Sequence, residues 1–158
     1  FMRWPGYDPA LWEEVTAAAV ARQRARAEQV GSSLVIEGSD RDAGAVAMAQ
    51  ANAERAGVAP FVHFTCRPIS ALTPPVPAVP GWVVTNPPYG LRVSQGQDVR
   101  NLYAQFGKVL RAACRGWHVA ALCNDTRLLG QMGLRLDTSL ALVNGGIAVR
   151  LGRGVVEG

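Results

Sequence analysis

The sequence predicts an α/β fold whose sheet is mostly parallel and ends in an antiparallel hairpin. Short apolar, β-branched runs alternate with helical patterns over most of the chain, which is typical of a parallel sheet. The last two runs instead flank Asn144-Gly145-Gly146, a sequence that favours a hairpin turn. The 158 residues, 49% of them hydrophobic, contain no internal repeat. We therefore expect residues 1–158 to belong to one domain.

Helices are predicted where an Asp N-cap precedes an apolar stripe and a glycine follows it. The predicted helices are residues 8–31, 42–57, 98–116 and 125–133. The predicted strands are residues 34–40, 61–66, 82–85, 117–123, 139–143 and 147–151. We expect the strands 34–40 and 82–85 to be buried, and the core to include Trp12, Trp82 and Trp117.

The composition argues against a membrane or a secreted setting. No run of about eighteen apolar residues is present, and no basic-then-apolar leader is visible. The cysteines are odd in number and far apart, so neither a disulfide framework nor a metal site is predicted. We expect buried, reduced thiols in a cytoplasmic protein, at Cys66, Cys114 and Cys123.

The charge balance is basic. The net charge is +4, the pI is about 9.4, and fifteen of the sixteen basic residues are arginine. Such a balance favours a polyanionic partner, since arginine suits phosphate contacts and base stacking. A codon bias towards Ala, Gly, Arg and Val would produce the same composition. Charge alone therefore leaves a nucleic-acid partner as one of two interpretations.

The most informative stretch is Asn86-Pro87-Pro88-Tyr89, which directly follows the predicted strand 82–85. Consecutive prolines cannot continue a ladder of sheet hydrogen bonds, so they hold Asn86 in a rigid, extended turn. Open α/β sheets place their chemistry at the carboxyl ends of strands. The motif therefore predicts a catalytic turn, with an ordinary proline turn and an exposed tyrosine as the alternative.

Such a turn suits the exocyclic amine of a nucleobase, a poor nucleophile because its lone pair is delocalised into the ring. The Asn86 side-chain oxygen and the Pro87 carbonyl would accept the two N–H groups and favour a pyramidal nitrogen with a free lone pair. Tyr89 would stack on the base, worth about 1–3 kcal/mol, once that base has left its own stack. Arg92 is either a phosphate contact or a solvated arginine.

Asp40 ends a predicted strand and stands just before a helix. In nucleotide-binding α/β domains an acidic residue at this place accepts hydrogen bonds from a ribose diol. The alternative is that Asp40 or Asp42 only caps the helix. Since Asp42 is sufficient as the cap, we favour a ribose contact for Asp40.

The order of these motifs resembles class I S-adenosylmethionine-dependent methyltransferases, and more closely the THUMP-associated RNA guanine-N2 methyltransferases. The resemblance rests on Gly38-Ser39-Asp40, on the segment 52–58 and on Asn86-Pro87-Pro88-Tyr89-Gly90, with residues 1–8 and Asn144-Gly145 also fitting. It covers essentially the whole chain. It implies a Rossmann-like sheet, S-adenosylmethionine as cofactor and methylation of guanine N2 in RNA, most closely ribosomal RNA.

The resemblance also implies roles for individual residues. Asp40 would hold the cofactor ribose, and Arg41 would lie beside its adenine. Pro68 occupies the place of the family's acidic adenine contact, so that this contact would either be missing or be replaced by the backbone near Ile69. The target amine and base would be held by Asn86, Pro87, Pro88 and Tyr89, with Asn86 also near the methionine end of the cofactor.

The family's first strand, its glycine-rich cofactor loop and the THUMP domain do not occur in these residues. We expect the missing segment to precede Phe1, so that residues 1–158 form a partial catalytic domain. Because the first strand of this fold lies in the centre of the sheet, its absence would expose strand edges.

Three alternatives stay open. A transfer-RNA guanine-N2 methyltransferase and a DNA adenine-N6 or cytosine-N4 methyltransferase would use the same turn. A non-catalytic RNA-binding module would explain the missing glycine loop. The sequence does not indicate the target nucleotide or the oligomeric state.

Overall fold

The computed structural model describes residues 2–30, 35–75, 79–88 and 96–157. It contains four helices in these ranges: α1 Pro9–Val30, α2 Ala43–Arg55, α3 Gly96–Ala113 and α4 Thr126–Gln131. The strands are β1 Ile36–Asp40, β2 Val62–Cys66, β3 Trp82–Thr85, β4 His118–Cys123, β5 Ala141–Asn144 and β6 Ile147–Val155. Two short 3-10 turns, Ala59–Phe61 and Ile69–Ala71, precede and follow β2. The predicted alternation of strands and helices is confirmed.

Local hydrogen bonds explain where the helices begin. The carboxylates of Asp8, Asp42 and Asp125 accept first-turn N–H groups at 2.7–3.2 Å, which confirms the N-caps predicted there. The predicted start at Asp98 is wrong, because α3 begins at Gly96 and Asp98 is its third residue. The predicted hairpin turn is also confirmed, since Gly145 and Gly146 adopt φ values of +57° and +81° that side chains disfavour. Phe61 lies in a 3-10 turn instead of the predicted strand.

The strands form two sheets. β1 and β2 pair in parallel, with Asp40 opposite Cys66. The second sheet has the order β3-β4-β6-β5, in which β3 and β4 are parallel and the two remaining pairs are antiparallel. Within the described ranges, neither β1 nor β3 has a second strand partner. Each therefore presents one edge of unpaired backbone groups.

The core lies between α3, α4 and the four-stranded sheet. α3 contributes Tyr103 and Leu110, both 0% exposed, and α4 is followed by Met132, also 0% exposed. The Tyr103 hydroxyl donates a hydrogen bond of 3.2 Å to Cys123 Sγ, which satisfies its polar group inside the core. Ile69 packs against the same cluster, so the turn after β2 connects the two-stranded sheet to α3.

Several burial predictions are wrong. Trp82 is 64% exposed, Val84 is 74% exposed and Trp12 is 37% exposed, whereas Trp117 is buried as predicted. β1 is likewise mostly exposed. For Trp82, Val84 and β1, the physical reason is that β1 and β3 have, within the described ranges, a neighbouring strand on one edge only, while parallel strands are normally enclosed by neighbours and helices. Of the predicted buried thiols, Cys66 is exposed.

Candidate active site

The predicted catalytic turn lies at the carboxyl end of β3. Asn86 directly follows the strand, is exposed, and makes no hydrogen bond with the part of the chain that the structure describes. Pro87 is half-buried and Pro88 is exposed. The Asn86 amide is therefore available to a ligand at the sheet edge. Tyr89 and Arg92 lie outside the described residues.

Asp40 is the last residue of β1 and is exposed. Its Oδ1 accepts the Asp42 N–H at 2.9 Å, while Oδ2 has no partner among the residues described. Asp42 is the N-cap of α2, accepting from Gly44 and Ala45. Asp40 thus shapes the turn into α2 with one oxygen and keeps the second for solvent or a ligand. A ribose contact through that oxygen stays a prediction.

Arg41 and Ile69 lie close to the same edge. The Arg41 side chain is exposed, and its carbonyl accepts the Cys66 thiol hydrogen bond at 3.6 Å. The Ile69 side chain packs against the core beneath α3, whereas its N–H donates no hydrogen bond within the described ranges. An adenine contact through the backbone near Ile69 stays a prediction.

An arginine that the sequence did not single out fixes the geometry of this edge. The Arg67 N–H donates to the Asp40 carbonyl at 2.8 Å, and its guanidinium pairs with Glu37 at 3.0 Å. The same guanidinium donates to Thr73 Oγ1 at 2.8 Å. Arg67 therefore holds together the end of β1, the end of β2 and the segment after the turn at Ile69. Recognising it requires the β1–β2 register, which no local pattern reveals.

Asn124 was also missed by the sequence analysis. It follows β4 as Asn86 follows β3, and both strands run in parallel with Thr85 opposite Ala121. Continuing that register places Asn124 two residues beyond the level of Asn86, about 7 Å along the strand direction. Asn124 is exposed and makes no hydrogen bond with described residues. A polar residue directly after an apolar strand was the signal available.

The predicted site residues therefore fall into two groups. Asp40, Arg41 and Ile69 lie at the carboxyl edge of the two-stranded sheet, and Asn86 with Pro87 lies at that of β3. No strand pairing among the described residues joins β1 to β3. The packing of Ile69 and Leu72 against the α3 core is the connection between the groups.

Comparison with known proteins decides the family. The sequence profile described as "RMKL-like, methyltransferase domain" (UPF0020) matches residues 4–151, nearly the whole chain. The chain belongs to this family. The resemblance to class I methyltransferases and the predicted fold class are thereby confirmed.

Relatives of this RMKL-like domain include the ribosomal RNA large subunit methyltransferase K/L of Shewanella baltica (strain OS185), 35% identical over 147 residues. The match covers 93% of this chain and 20% of that relative. The protein of the same name from Desulfotalea psychrophila (strain LSv54 / DSM 12343) is 36% identical over 155 residues, which are 98% of this chain and 21% of its own length. The chain thus spans about one fifth of these curated relatives.

A solved structure has the same fold. The crystal structure of SMU.472 complexed with SAH superposes with a TM-score of 0.73 and 27% sequence identity. The superposition covers 100% of this RMKL-like chain and 40% of the SMU.472 chain. In the described residues of the present structure, no three potential metal ligands are grouped together, and no helix is long and apolar enough to cross a bilayer.

Proposed function

We propose that this domain takes part in transferring a methyl group from S-adenosylmethionine to an exocyclic amine of an RNA base. One observation carries the proposal: in a member of the RMKL-like methyltransferase family, two prolines follow an exposed Asn86 at the carboxyl end of β3, and its amide bonds to no described residue. Guanine N2 of ribosomal RNA is the substrate we favour over transfer RNA or DNA, since relatives 35–36% identical are named ribosomal RNA methyltransferases. A cytoplasmic location would follow from that substrate.

The residues around Asp40 fit the ribose and adenine end of the cofactor. Asp40 is exposed and its Oδ2 has no partner among the described residues, which suits a ribose hydroxyl; the Ile69 N–H likewise donates to no described residue and could serve the adenine. Arg41 would lie beside the adenine. The SAH in the SMU.472 structure supports this choice of cofactor. When bound, S-adenosylmethionine supplies an electrophilic methyl group.

The turn at Asn86 would activate and orient the amine. Asn86 Oδ1 and the Pro87 carbonyl accept its two hydrogens, which localises the lone pair on the nitrogen. The new N–C bond then forms as the donor's S–C bond breaks, and one N–H proton leaves to water. No Asp, Glu or His occurs in the turn, so positioning in line with the methyl group provides the main contribution. Pro88 stiffens the turn, Tyr89 stacks on the base and Arg92 contacts a phosphate.

We further propose that residues 1–158 are part of a catalytic domain that one more parallel strand and a glycine-rich loop complete. The unpaired edges of β1 and β3 support this proposal, because a strand between them would join the two groups of site residues. The exposure of Trp82 and Val84 on β3 supports it as well. An open edge with exposed apolar side chains favours association with another strand.

The test of the proposed chemistry is Asn86→Ala in the chain joined to the proposed completing segment, which would supply the additional strand and the glycine-rich loop. Methyl transfer from radiolabelled S-adenosylmethionine to ribosomal RNA should fall by at least about 10²-fold, the usual effect of removing one group that contacts the reacting atoms. The matched control is Asn101→Ala, which removes an exposed, unbonded amide on α3 and should retain full activity. Near-normal transfer by the Asn86 variant, with an unchanged unfolding curve, would refute the mechanism.

A binding experiment separates the catalytic proposal from a non-catalytic RNA-binding module. The 158-residue chain alone should bind S-adenosylmethionine weakly or not at all in calorimetry, because the glycine-rich loop does not occur in its sequence. The joined protein should bind it with a stoichiometry of one per chain. Tight binding by the chain alone would contradict the proposed role of the missing loop. RNA binding by a joined protein that binds no cofactor would instead favour the non-catalytic module.

A further inference from the structure

The positive charge of the chain is concentrated in its C-terminal part. Residues 1–58 contain six basic and eight acidic residues, whereas residues 96–157 contain eight basic and four acidic residues. The four-stranded sheet that carries Asn86, together with α3 and α4, is therefore the basic side of the molecule. A polyanion would be attracted to this side.

Half of these basic side chains have structural partners. Two arginines form ion pairs and two donate hydrogen bonds to backbone carbonyls, in the pairs Arg135–Glu157, Arg153–Asp137, Arg111–Met132 and Arg150–Ser139. By contrast, Arg100, Lys108, Arg115 and Arg127 are exposed and form no ion pair or side-chain hydrogen bond within the described ranges. Their charges are available to a ligand. Arg115 follows the end of α3, away from the carboxyl edge of the sheet. We call Arg100, Lys108 and Arg127 the basic rim.

The basic rim begins at the sheet edge that carries the proposed catalytic turn. β3 and β4 are adjacent and parallel, and each is followed by a helix, so α3 and α4 both begin at the carboxyl edge of the sheet. Arg127 lies in the first turn of α4, and Arg100 is the fifth residue of α3. Lys108 follows Arg100 by eight residues, which corresponds to about 12 Å along the helix.

We infer that the basic rim binds the phosphodiester backbone of the substrate RNA beside the target nucleotide. The inference rests on the proposed function, from which it takes RNA as the polyanion. A span of about 12 Å corresponds to three or four nucleotides of a stacked strand at about 3.4 Å each. Contacts to phosphate position a strand without reading its sequence. The basic rim therefore sets the register of the RNA, and the Asn86 turn selects the amine.

The experiment compares two variants of the 158-residue chain that lose the same charge. The test variant is Arg100→Gln, Lys108→Gln and Arg127→Gln; the control is Arg22→Gln, Arg24→Gln and Arg26→Gln on the exposed surface of α1. Binding of a fluorescent, unstructured RNA oligonucleotide is measured between about 50 and 200 mM salt. Each lost contact to a single strand lowers the slope of log K against log salt by about 0.7, so the test variant should lose about 2. The control should keep the wild-type slope.

Two further variants complete the design. Arg100→Lys combined with Arg127→Lys conserves both charges and should keep the wild-type slope, provided that circular dichroism shows a native helix content. Asn101→Ala, which removes an exposed but uncharged side chain of α3, should also bind RNA with the wild-type slope, because it removes no positive charge. The proposed role of the basic rim would be refuted if the test and control variants lost the same slope. It would also be refuted if the wild-type chain did not bind RNA. Neither result bears on methyl transfer, which the Asn86 assay measures separately.

Discussion

The close contact at Gly107 allows a prediction of how a larger side chain there would change the stability of the packing between α3 and α4. A Cβ at this position would overlap the Met132 carbonyl oxygen and would lie 2.5 Å from Met132 C and 2.7 Å from Met132 Cα. These atoms belong to the backbone at the end of α4, so no side-chain rotation can relieve the overlap. Gly107→Ala therefore requires α4 to move away from α3.

The expected change in the free energy of unfolding is the difference of two effects. Overpacking costs about 1–3 kcal/mol, and we expect the upper end because the obstructing atoms are backbone. Alanine is favoured over glycine in a helix interior by about 1 kcal/mol. The movement would also disturb the hydrogen bond of 2.5 Å from Arg111 to the Met132 carbonyl. The net loss in the free energy of unfolding should be about 2 kcal/mol.

Gly130→Ala is the matched control, since it makes the same change in the neighbouring helix. A Cβ at Gly130 would meet no atom within 4 Å. The helix propensity then acts alone, and the variant should be more stable than the wild type by up to about 1 kcal/mol. The same substitution should therefore have opposite signs in α3 and α4.

Urea unfolding followed by circular dichroism at 222 nm measures both variants through their midpoints at an unchanged m value. A loss of about 2 kcal/mol corresponds to a Tm lower by about 4–8 °C for a chain of this size. If Gly107→Ala were as stable as the wild type, the close packing of α3 on Met132 would be wrong. If both variants lost stability equally, the loss would come from the glycine backbone and not from the packing.

Two further predictions concern Asp137 and the thiols. Hydrogen bonds from the Ser139 backbone and hydroxyl, together with Arg153, lower the pKa of Asp137 from 3.8 to about 2. Its stabilising contribution should therefore be present above about pH 4 and be lost as the pH falls towards 2. The urea midpoints of the wild type and of Asp137→Asn should then differ above about pH 4 and become equal near pH 2. A difference between the midpoints that does not change with pH would contradict this. Cys66 is exposed, whereas Cys114 and Cys123 are buried and burial raises the pKa of Cys114. A thiol reagent should thus modify one thiol rapidly in the folded chain and the other two only on unfolding, and rapid modification of all three would refute the described core.

Features governed by neighbours in sequence were predictable. The Asp42 cap, the Asn144-Gly145 turn and the end of β3 at the prolines all follow from interactions over a few residues. The position of Asn86 directly after β3 belongs to this class, because Pro87 and Pro88 cannot continue the strand. The resemblance of motifs was sufficient to identify the methyltransferase family, which the comparison confirms.

Burial was harder to predict, because it depends on what covers an element. Trp82 and Val84 have the composition of a buried strand, yet both are exposed, since β3 has a strand neighbour on one edge only. The same reason applies to Cys66 on β2. An apolar run indicates that a strand can be buried, but only its neighbours determine whether it is.

The sequence by itself determined the helix caps at Asp8, Asp42 and Asp125, the hairpin turn, the end of β3 before Asn86 and the family of the domain. Only the tertiary structure decided that Arg67 joins Glu37 and Thr73 beside Asp40. It also decided that α3 and α4 begin at one edge, where Arg100 and Arg127 have no partner among the described residues. The physical reason is the distance along the chain between the residues that interact. Capping and proline restriction act within one turn of chain, whereas these contacts join residues brought together only when strands pair and helices pack.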